Sequence, residues 1–315
     1  MDLIKDTLPN ISSFLDEVSR LSEIQSRHVD EYLSSMNHEE RESLERRIEY
    51  LHRIENNSYL QIAECYLAWC TYFVEERKYF VTHNEQYRNH TYAEIDASYH
   101  DKDYMKNYMI GLSISAYLWN IQRKNLEFFK EYCIKDNHVG GKYLEVGPGH
   151  GEYLSIASEN TDFDTYIGID ISPSAAEQTS KFLNYYYRDK PDLLKRINVQ
   201  CEDFFNFEEK DKFDAIVISQ VIEHVENPGA FLKKTQKLAD KDALIYVSTA
   251  INSPFPDHIY HFHNSDEVRS LIKDSGLEII DEFQSTPDGI SLDKAVQKKY
   301  DIVIGFILKP EEQDE

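Results

Sequence analysis

Up to residue 140 the apolar positions recur three and four residues apart, the spacing of one helix face. Ile48, Leu51 and Ile54 lead on to Ile62, and Leu112, Ser115, Tyr117, Leu118 and Ile121 repeat the pattern. One proline (Pro9) and, before Gly140, one glycine (Gly111) leave it almost uninterrupted. The spacing predicts helices near 11–34, 38–54, 57–80, 102–119 and 121–135. After Gly140 short β-rich runs alternate with helical stretches: Lys142–Val146, Thr165–Ile171, Ile197–Cys201, Phe213–Ser219, Ala243–Thr249, Leu277–Gln284 and Asp301–Leu308. Such alternation predicts a doubly wound, mostly parallel seven-stranded sheet with helices on both faces. The last two runs are joined through Pro287-Asp288-Gly289, a turn signal, with no long amphipathic crossover between them. That favours an antiparallel last strand.

The chain therefore divides into an all-helical region, 1–139, an α/β domain, 140–309, and an acidic tail, 310–315. Thirteen of the 22 tyrosines and both tryptophans, Trp69 and Trp119, fall in the helical region, so it is rich in the residues that build cores and interfaces. A homodimer through that region would use the same tyrosines. Net charge narrows the partners. Lys and Arg number 34 against 57 acids, a net of −23, and no basic patch with interleaved aromatics offsets it. Nucleic acids and anionic membranes are bound mainly by neutralising phosphates, so neither is an expected partner. Lys233, Lys234 and Lys237 suit the solvated face of a surface helix. No apolar run approaches the roughly 20 residues of a membrane span. The start, MDLIKDTLPN, lacks the pattern of a signal peptide. Cys65, Cys70, Cys133 and Cys201 are scattered, which fits reduced thiols and a cytoplasmic location.

Candidate chemistry begins where the first β-run ends, in Glu145-Val-Gly147-Pro-Gly149-His-Gly151. Glycines there let the chain turn sharply and a ligand approach the backbone, and the helix that follows offers free N–H groups. The G-x-G-x-G spacing departs from the dinucleotide fingerprint G-x-G-x-x-G. The second run ends in Ile169-Asp170-Ile171-Ser172; a carboxylate there can accept both hydroxyls of a ribose. Asp170 could also cap the helix at Pro173, but Ser172 is better placed for that. The third run ends in Glu202-Asp203-Phe204, an acid and an aromatic suited to an adenine amino group and ring. All lie at carboxyl ends of successive strands, where open α/β sheets bind ligands.

Together with Phe213-Asp-Ala-Ile-Val-Ile-Ser-Gln-Val-Ile-Glu-His-Val-Glu-Asn-Pro228, these segments resemble the class I S-adenosylmethionine-dependent methyltransferases over roughly residues 140–309. The resemblance implies a Rossmann-like core with an antiparallel final strand. It further implies that Glu145 and Gly147, with Gly149 and Gly151 in the same loop, meet the methionine part of the cofactor. Asp170, flanked by Ile171, would hold the ribose, Asp203 and Phe204 the adenine, and Gln220 the sulfonium side. In relatives a segment placed like 96–109 often caps the cofactor, so Tyr104 and Tyr108 are candidates to reach its carboxylate. The same two tyrosines and Met105 would otherwise pack between helices.

Methyl transfer requires alignment of the acceptor and removal of its proton. Candidates follow the fourth and fifth strands: Glu223 and His224, then Ser253-Pro-Phe-Pro-Asp257-His258-Ile-Tyr260-His261-Phe262-His263. In one mechanism His258, or second His261, is the general base on a hydroxyl or amine. In the other, Glu223, His224 and His258 hold a divalent metal that orients an oxygen acceptor. Metal-using relatives carry E-x-x-E-H, and this chain has Gln220 at the first Glu, which favours metal-free chemistry. The expected function is thus methylation of an O or N nucleophile on a small molecule. A nicotinamide-dependent oxidoreductase and a non-catalytic cofactor-binding scaffold are the competing functions.

Overall fold

The computed structural model describes residues 8–136 and 138–311. Residues 1–7, which begin the segment read for a leader peptide, and 312–315 of the acidic tail lie outside the described residues. The helical region contains α1 (Pro9–Leu21), α2 (Glu23–Ser35), α3 (His38–Arg53), α4 (Tyr59–Thr82), α5 (Tyr92–His100), α6 (Lys102–Leu118) and α7 (Asn120–Asp136). Two expectations need correction. The single helix over 11–34 is two helices, because Ser22 turns extended and its hydroxyl accepts from the Gln25 amide to start α2. Helix α5 was not foreseen, although its start carries a readable signal: in Thr91-x-x-Glu94 the glutamate accepts from the Thr91 amide at 2.9 Å.

The α/β part runs β1 (Lys142–Val146), α8 (Glu152–Asn160), β2 (Thr165–Asp170), α9 (Pro173–Tyr186), a one-turn α10 (Pro191–Leu194), β3 (Ile197–Cys201) and β4 (Phe213–Ser219). It continues with α11 (Pro228–Leu238), β5 (Ala239–Ile251), α12 (Ser265–Lys273), β6 (Leu277–Ser285), α13 (Leu292–Lys298) and β7 (Ile302–Pro310). The sheet order is β3-β2-β1-β4-β5-β7-β6. Strands β1 to β5 pair in parallel, and β7 runs antiparallel to both β5 and β6. The expected antiparallel ending is present, with the short helix α13 inside the β6–β7 connection. Pro310, assigned to the tail from sequence, completes β7. Strand order reverses between β1 and β4, so a crevice opens at their carboxyl ends.

The helices do not form a core of their own. One apolar cluster runs from Ile11 and Phe14 through Tyr66 and Ile114 to Tyr143, Tyr153 and Tyr246 on one face of the sheet. The other face, with Ile216, Phe231 and Ile304, packs under α11 and α12. Polar ties reinforce the first junction. Asn125 of α7 donates to the Tyr153 hydroxyl at 2.6 Å and to Ser248 at 3.0 Å. Arg47 of α3, only 3% exposed, pairs with the buried Glu152 and donates to the His150 carbonyl at 2.8 Å. Its guanidinium also lies over the Phe182 ring, 3.4 Å from the centroid. Burial alone would raise the Glu152 carboxyl, but Arg47 and His150 hold it below the usual range. Among the described residues no helix is long and apolar enough to cross a membrane.

Removing one member of a buried ion pair strands the other's charge, at a cost of about 3–5 kcal/mol. Arg47→Ala should therefore lower stability in urea by about that amount. Arg47→Met with Glu152→Leu should lose much less. Equal losses for the single and double variants would mean that packing, not the charge pair, holds this junction.

Candidate active site

The crevice over β1 and β4 holds two adjacent cavities. The larger, about 450 Å³, is bounded by the β1, β2 and β3 ends, by Met105, Tyr108 and Met109 of α6, and by Tyr92 and Tyr99 of α5. The smaller, about 120 Å³, lies toward β5 and β7 under Trp69, Phe73, Trp119 and Phe255. Tyr108, Leu112, Gly147, Gly149, Gln220 and His224 line both, so they form the doorway between the chambers.

Backbone geometry makes that doorway. Gly147 has φ +68, and a Cβ on it would stand 2.7 Å from a Val221 methyl, so no side chain fits. Gln220 turns the chain at the end of β4 in the left-handed region, φ 55, uncommon for a non-glycine residue. Its amide donates to the Ser248 carbonyl at 2.9 Å, which holds that conformation. Such strained residues persist where the surroundings fix them and concentrate at functional sites.

The large chamber has an acidic wall. Asp170, Glu202, Asp203 and Glu226 line it, and no Lys or Arg is among its lining residues. Burial pushes the Asp170 carboxyl up to about 6, while amide hydrogen bonds from Ser172 and Gly149 pull the other way. Asp203 accepts from the Phe205 amide at 2.9 Å and from the Asn206 side chain at 2.8 Å. Each of its oxygens keeps a second lone pair for a ligand. Phe204 packs 4.3 Å from Phe231 and forms a flat apolar side with the half-exposed Ile171. A pyrophosphate would meet four carboxylates here and, among the described residues, no Lys or Arg, the His224 imidazole being the one basic side chain of the lining. A sulfonium, a ribose and an adenine amino group, which offer positive charge and donors, suit the wall.

At the doorway, His224 Nδ1 lies 2.8 Å from the Asp257 carbonyl and 3.5 Å from its carboxylate. Asp257 also accepts from Tyr108 at 2.7 Å and Tyr99 at 3.3 Å, which ties α5 and α6 to the loop after β5. Burial opposes charge on His224, but Asp257 and Glu223 outweigh it and hold the imidazole above its ordinary range. His258 is on the wall of the small chamber, 4.8 Å from the His224 ring. Its Nδ1 is 2.7 Å from the Ser253 carbonyl, which can only accept, so Nδ1 carries the proton and Nε2 a free lone pair. Burial and the neighbouring His224 push His258 down to about 4, so it is neutral at physiological pH.

Five of the residues singled out from sequence stand off both cavities. His261 turns away: its Nε2 meets the Asn252 side chain at 2.9 Å and its ring stacks on Tyr87. Tyr104 lies in an outer groove with Tyr72 and Asp103. One helical turn along, Tyr108 faces inward, and from α5 Tyr99 and Tyr92 do the same. Glu145 is buried beneath the loop, bound by the Tyr143 hydroxyl at 2.6 Å and raised to about 8 by burial. Gly151 caps α8 with φ +80 and packs against Phe182. Glu223 is fully buried; one oxygen accepts from Thr249 at 2.8 Å and the other has no partner. Glu223, His224 and His258 nevertheless offer ligand atoms within 4.8 Å of one another, as the metal alternative requires.

Sequence comparison matches residues 117–282, just over half of the chain, to the methyltransferase domain family. A curated relative, the mitochondrial ubiquinone biosynthesis O-methyltransferase of Dictyostelium discoideum, is 40% identical over 66 residues. That match spans 21% of this chain and 20% of the relative's length. Among solved structures, the mitomycin 7-O-methyltransferase MmcR superposes with a TM-score of 0.53 at 12% identity, over 80% of this chain and 71% of its own. The N-methyltransferase NodS of Bradyrhizobium japonicum WM9, in complex with S-adenosylhomocysteine, gives 0.50 at 14% identity, over 71% of this chain and all of its own. At those identities the likeness is one of fold. The family match agrees with the sheet order and its reversed last strand: the chain belongs to the methyltransferase domain family.

Proposed function

We propose that the protein methylates an O or N nucleophile of a small molecule, with S-adenosylmethionine in the large chamber and the acceptor in the small one. The observation that carries this reading is His258, its Nδ1 held by the Ser253 carbonyl, on the wall of a chamber that shares Gly147, Gly149 and Gln220 with the first. S-adenosylmethionine, when bound, would supply the electrophilic methyl group and leave as S-adenosylhomocysteine. Asp170 holds the ribose hydroxyls, Asp203, Phe204 and Ile171 receive the adenine, and the Gly147–Gly149 turn brings the backbone against the methionine part. Gln220 lies at the sulfonium side. His258 takes the proton from the acceptor and aligns it; the aromatic walls exclude water. Helices α5 and α6 act as a lid, since Tyr92, Tyr99, Met105 and Met109 close one side of the large chamber. The cytoplasmic location and helical dimer read from the sequence complete the proposal.

A second reading has one observation in its favour, the unpartnered buried oxygen of Glu223 beside His224 and His258. One carboxylate and two imidazoles are an acceptable donor set for a divalent ion. A metal there would polarise an acceptor oxygen, and His258 would then act as ligand.

A general base contributes about 10²–10⁴-fold in rate. With an acceptor found by screening, His258→Ala should lower turnover by a factor in that range and leave S-adenosylhomocysteine affinity unchanged. His261→Ala should stay near full activity. Activity that survives chelation supports the base; loss on chelation with recovery on adding Mg²⁺ or Zn²⁺ supports the metal; full activity of His258→Ala in chelator removes both.

Cofactor binding should depend on pH through Asp170. Ribose hydroxyls donate to the carboxylate and favour its charged form, so occupancy lowers a carboxyl that stands at about 6 when free. Affinity for S-adenosylhomocysteine should therefore weaken as pH falls through that value, by up to about tenfold per pH unit. Asp170→Asn should flatten the dependence, and Asp170→Ala should cost about 1–3 kcal/mol of binding at neutral pH. A calorimetric titration showing the same pH slope in Asp170→Asn would place the ribose elsewhere.

Amide exchange at 99–109 should slow when S-adenosylhomocysteine is added. Slowing confined to 145–151 would leave the core site without a lid.

A further inference from the structure

Ser248 of β5 holds Gln220 twice. Its carbonyl accepts from the Gln220 backbone amide at 2.9 Å, and its hydroxyl accepts from the Gln220 side-chain Nε2 at 3.3 Å. Behind it stands Asn125 of α7, and both residues are fully buried. Tyr246 donates to the Asn125 side-chain oxygen. That turns Asn125 Nδ2 toward Ser248 Oγ, 3.0 Å away, and toward the Tyr153 hydroxyl at 2.6 Å. A serine hydroxyl has two lone pairs and one proton. Asn125 and Gln220 take the lone pairs, so the proton goes to Ser219 Oγ at 2.8 Å. Ser248 thus has no proton to give to the Gln220 carbonyl oxygen. The orientation of that amide is set, nitrogen inward and oxygen outward.

The outward oxygen is the part of this amide left for a ligand. Gln220 lines both chambers at the doorway, whereas neither Ser248 nor Asn125 lines either. Among the described residues Gln220 Oε1 takes no hydrogen bond, and unlike the unpartnered oxygens of Glu223 and Asp257 it is not sealed from the cavities. A carbonyl oxygen is the negative end of a dipole, so it attracts a sulfonium far more than a neutral thioether. An amide turned the other way would present N–H groups, which repel the same charge. Holding the dipole in place beforehand spares its reorganisation when the cofactor arrives. Resting on the reading that puts the sulfonium side at Gln220, we propose that Ser248 is a positioning residue: tied to Asn125, it holds the Gln220 carbonyl toward the reacting sulfur and so favours the methyl-bearing cofactor over its demethylated product. The helical region reaches the reacting centre through Asn125 without touching it. Once the methyl group has left, the carbonyl has no charge to attract, which eases product exchange.

Calorimetry of the full chain, with no acceptor present, gives the ratio of S-adenosylmethionine to S-adenosylhomocysteine affinity, which a merely structural role would leave unchanged. Ser248→Ala keeps the backbone hydrogen bond but frees the Gln220 amide to turn. The ratio should fall by about threefold or more, with S-adenosylhomocysteine affinity changed by less than about twofold. Gln220→Met should lower the ratio likewise. In the Gln220→Met background, Ser248→Ala should change the ratio by less than about 1.5-fold, because its effect passes through Gln220. Ser248→Cys, whose thiol is a weaker acceptor, takes the place of the alanine variant if that one does not fold. An unchanged ratio in either single variant overturns the proposal. So does a loss shared equally by both ligands, or a Ser248→Ala effect that persists without Gln220. Binding of neither ligand to the parent chain would instead strike the cofactor reading on which the proposal rests.

Discussion

The contact on which the site depends is the buried pair between Arg47 and Glu152. Glu152 is the first residue of α8, directly after the glycine turn, and Arg47 also holds the His150 carbonyl within that turn. An arginine from α3 thus completes the loop that shapes the doorway between the chambers. The pair is buried in a continuous apolar cluster, so each charge depends on the other for compensation. Phe182, under the guanidinium, also meets the space where a Cβ on Gly151 would be. Cofactor loop, α9 and helical region are in this way fixed by one group of side chains.

From that anchor the two chambers divide the chemistry by composition. Carboxylates at the ends of β2 and β3 face a ligand rich in donors, in a space whose described lining includes no Lys or Arg. Across Gln220 the surroundings become more aromatic, and the polar groups are the His150, His224 and His258 imidazoles, Asp301 and several hydroxyls and amides. Left-handed turns at Gln220 and Asn252, φ 55 and 50, follow directly on β4, whose last residue pairs with Ser248, and on β5, which runs on to Ile251. Asp257, in the second loop, gathers Tyr99, Tyr108 and His224, so the placement of α5 and α6 and the orientation of the doorway imidazole share one anchor.

Much of this was legible in the residues because it rests on local requirements. Seven β-runs, the reversed last strand and the glycine turn follow from periodicity and from backbone angles that favour glycine. Asp170, Asp203, Phe204 and Gln220 could be placed because strand ends in an open parallel sheet share one edge. The missing parts need tertiary information. Tyr104 and Tyr108 sit one turn apart on α6, and only the packing against α4 shows that Tyr108 alone faces the doorway. His258 and His261 are chemically alike in sequence; Tyr87 and Asn252, distant along the chain, turn His261 aside. Asp301 reads only as the first residue of the last β-run until the fold places it on a chamber that Trp69 and Trp119 also line. The break at Ser22 and the helix at Thr91 were different, since both carried capping signals that the hydrophobic period obscured.

The central claim is that the large chamber is built for a sulfonium-bearing adenosine ligand and against a pyrophosphate. Calorimetric titration of the intact chain with S-adenosylmethionine, S-adenosylhomocysteine and NAD⁺ at neutral pH tests it most directly. The acidic wall, without Lys or Arg among its described residues, predicts that the first two bind at least about a hundredfold more tightly than NAD⁺, a difference of roughly 2.7 kcal/mol. NAD⁺ binding as tightly as either, or no heat from S-adenosylmethionine or S-adenosylhomocysteine, would contradict the account.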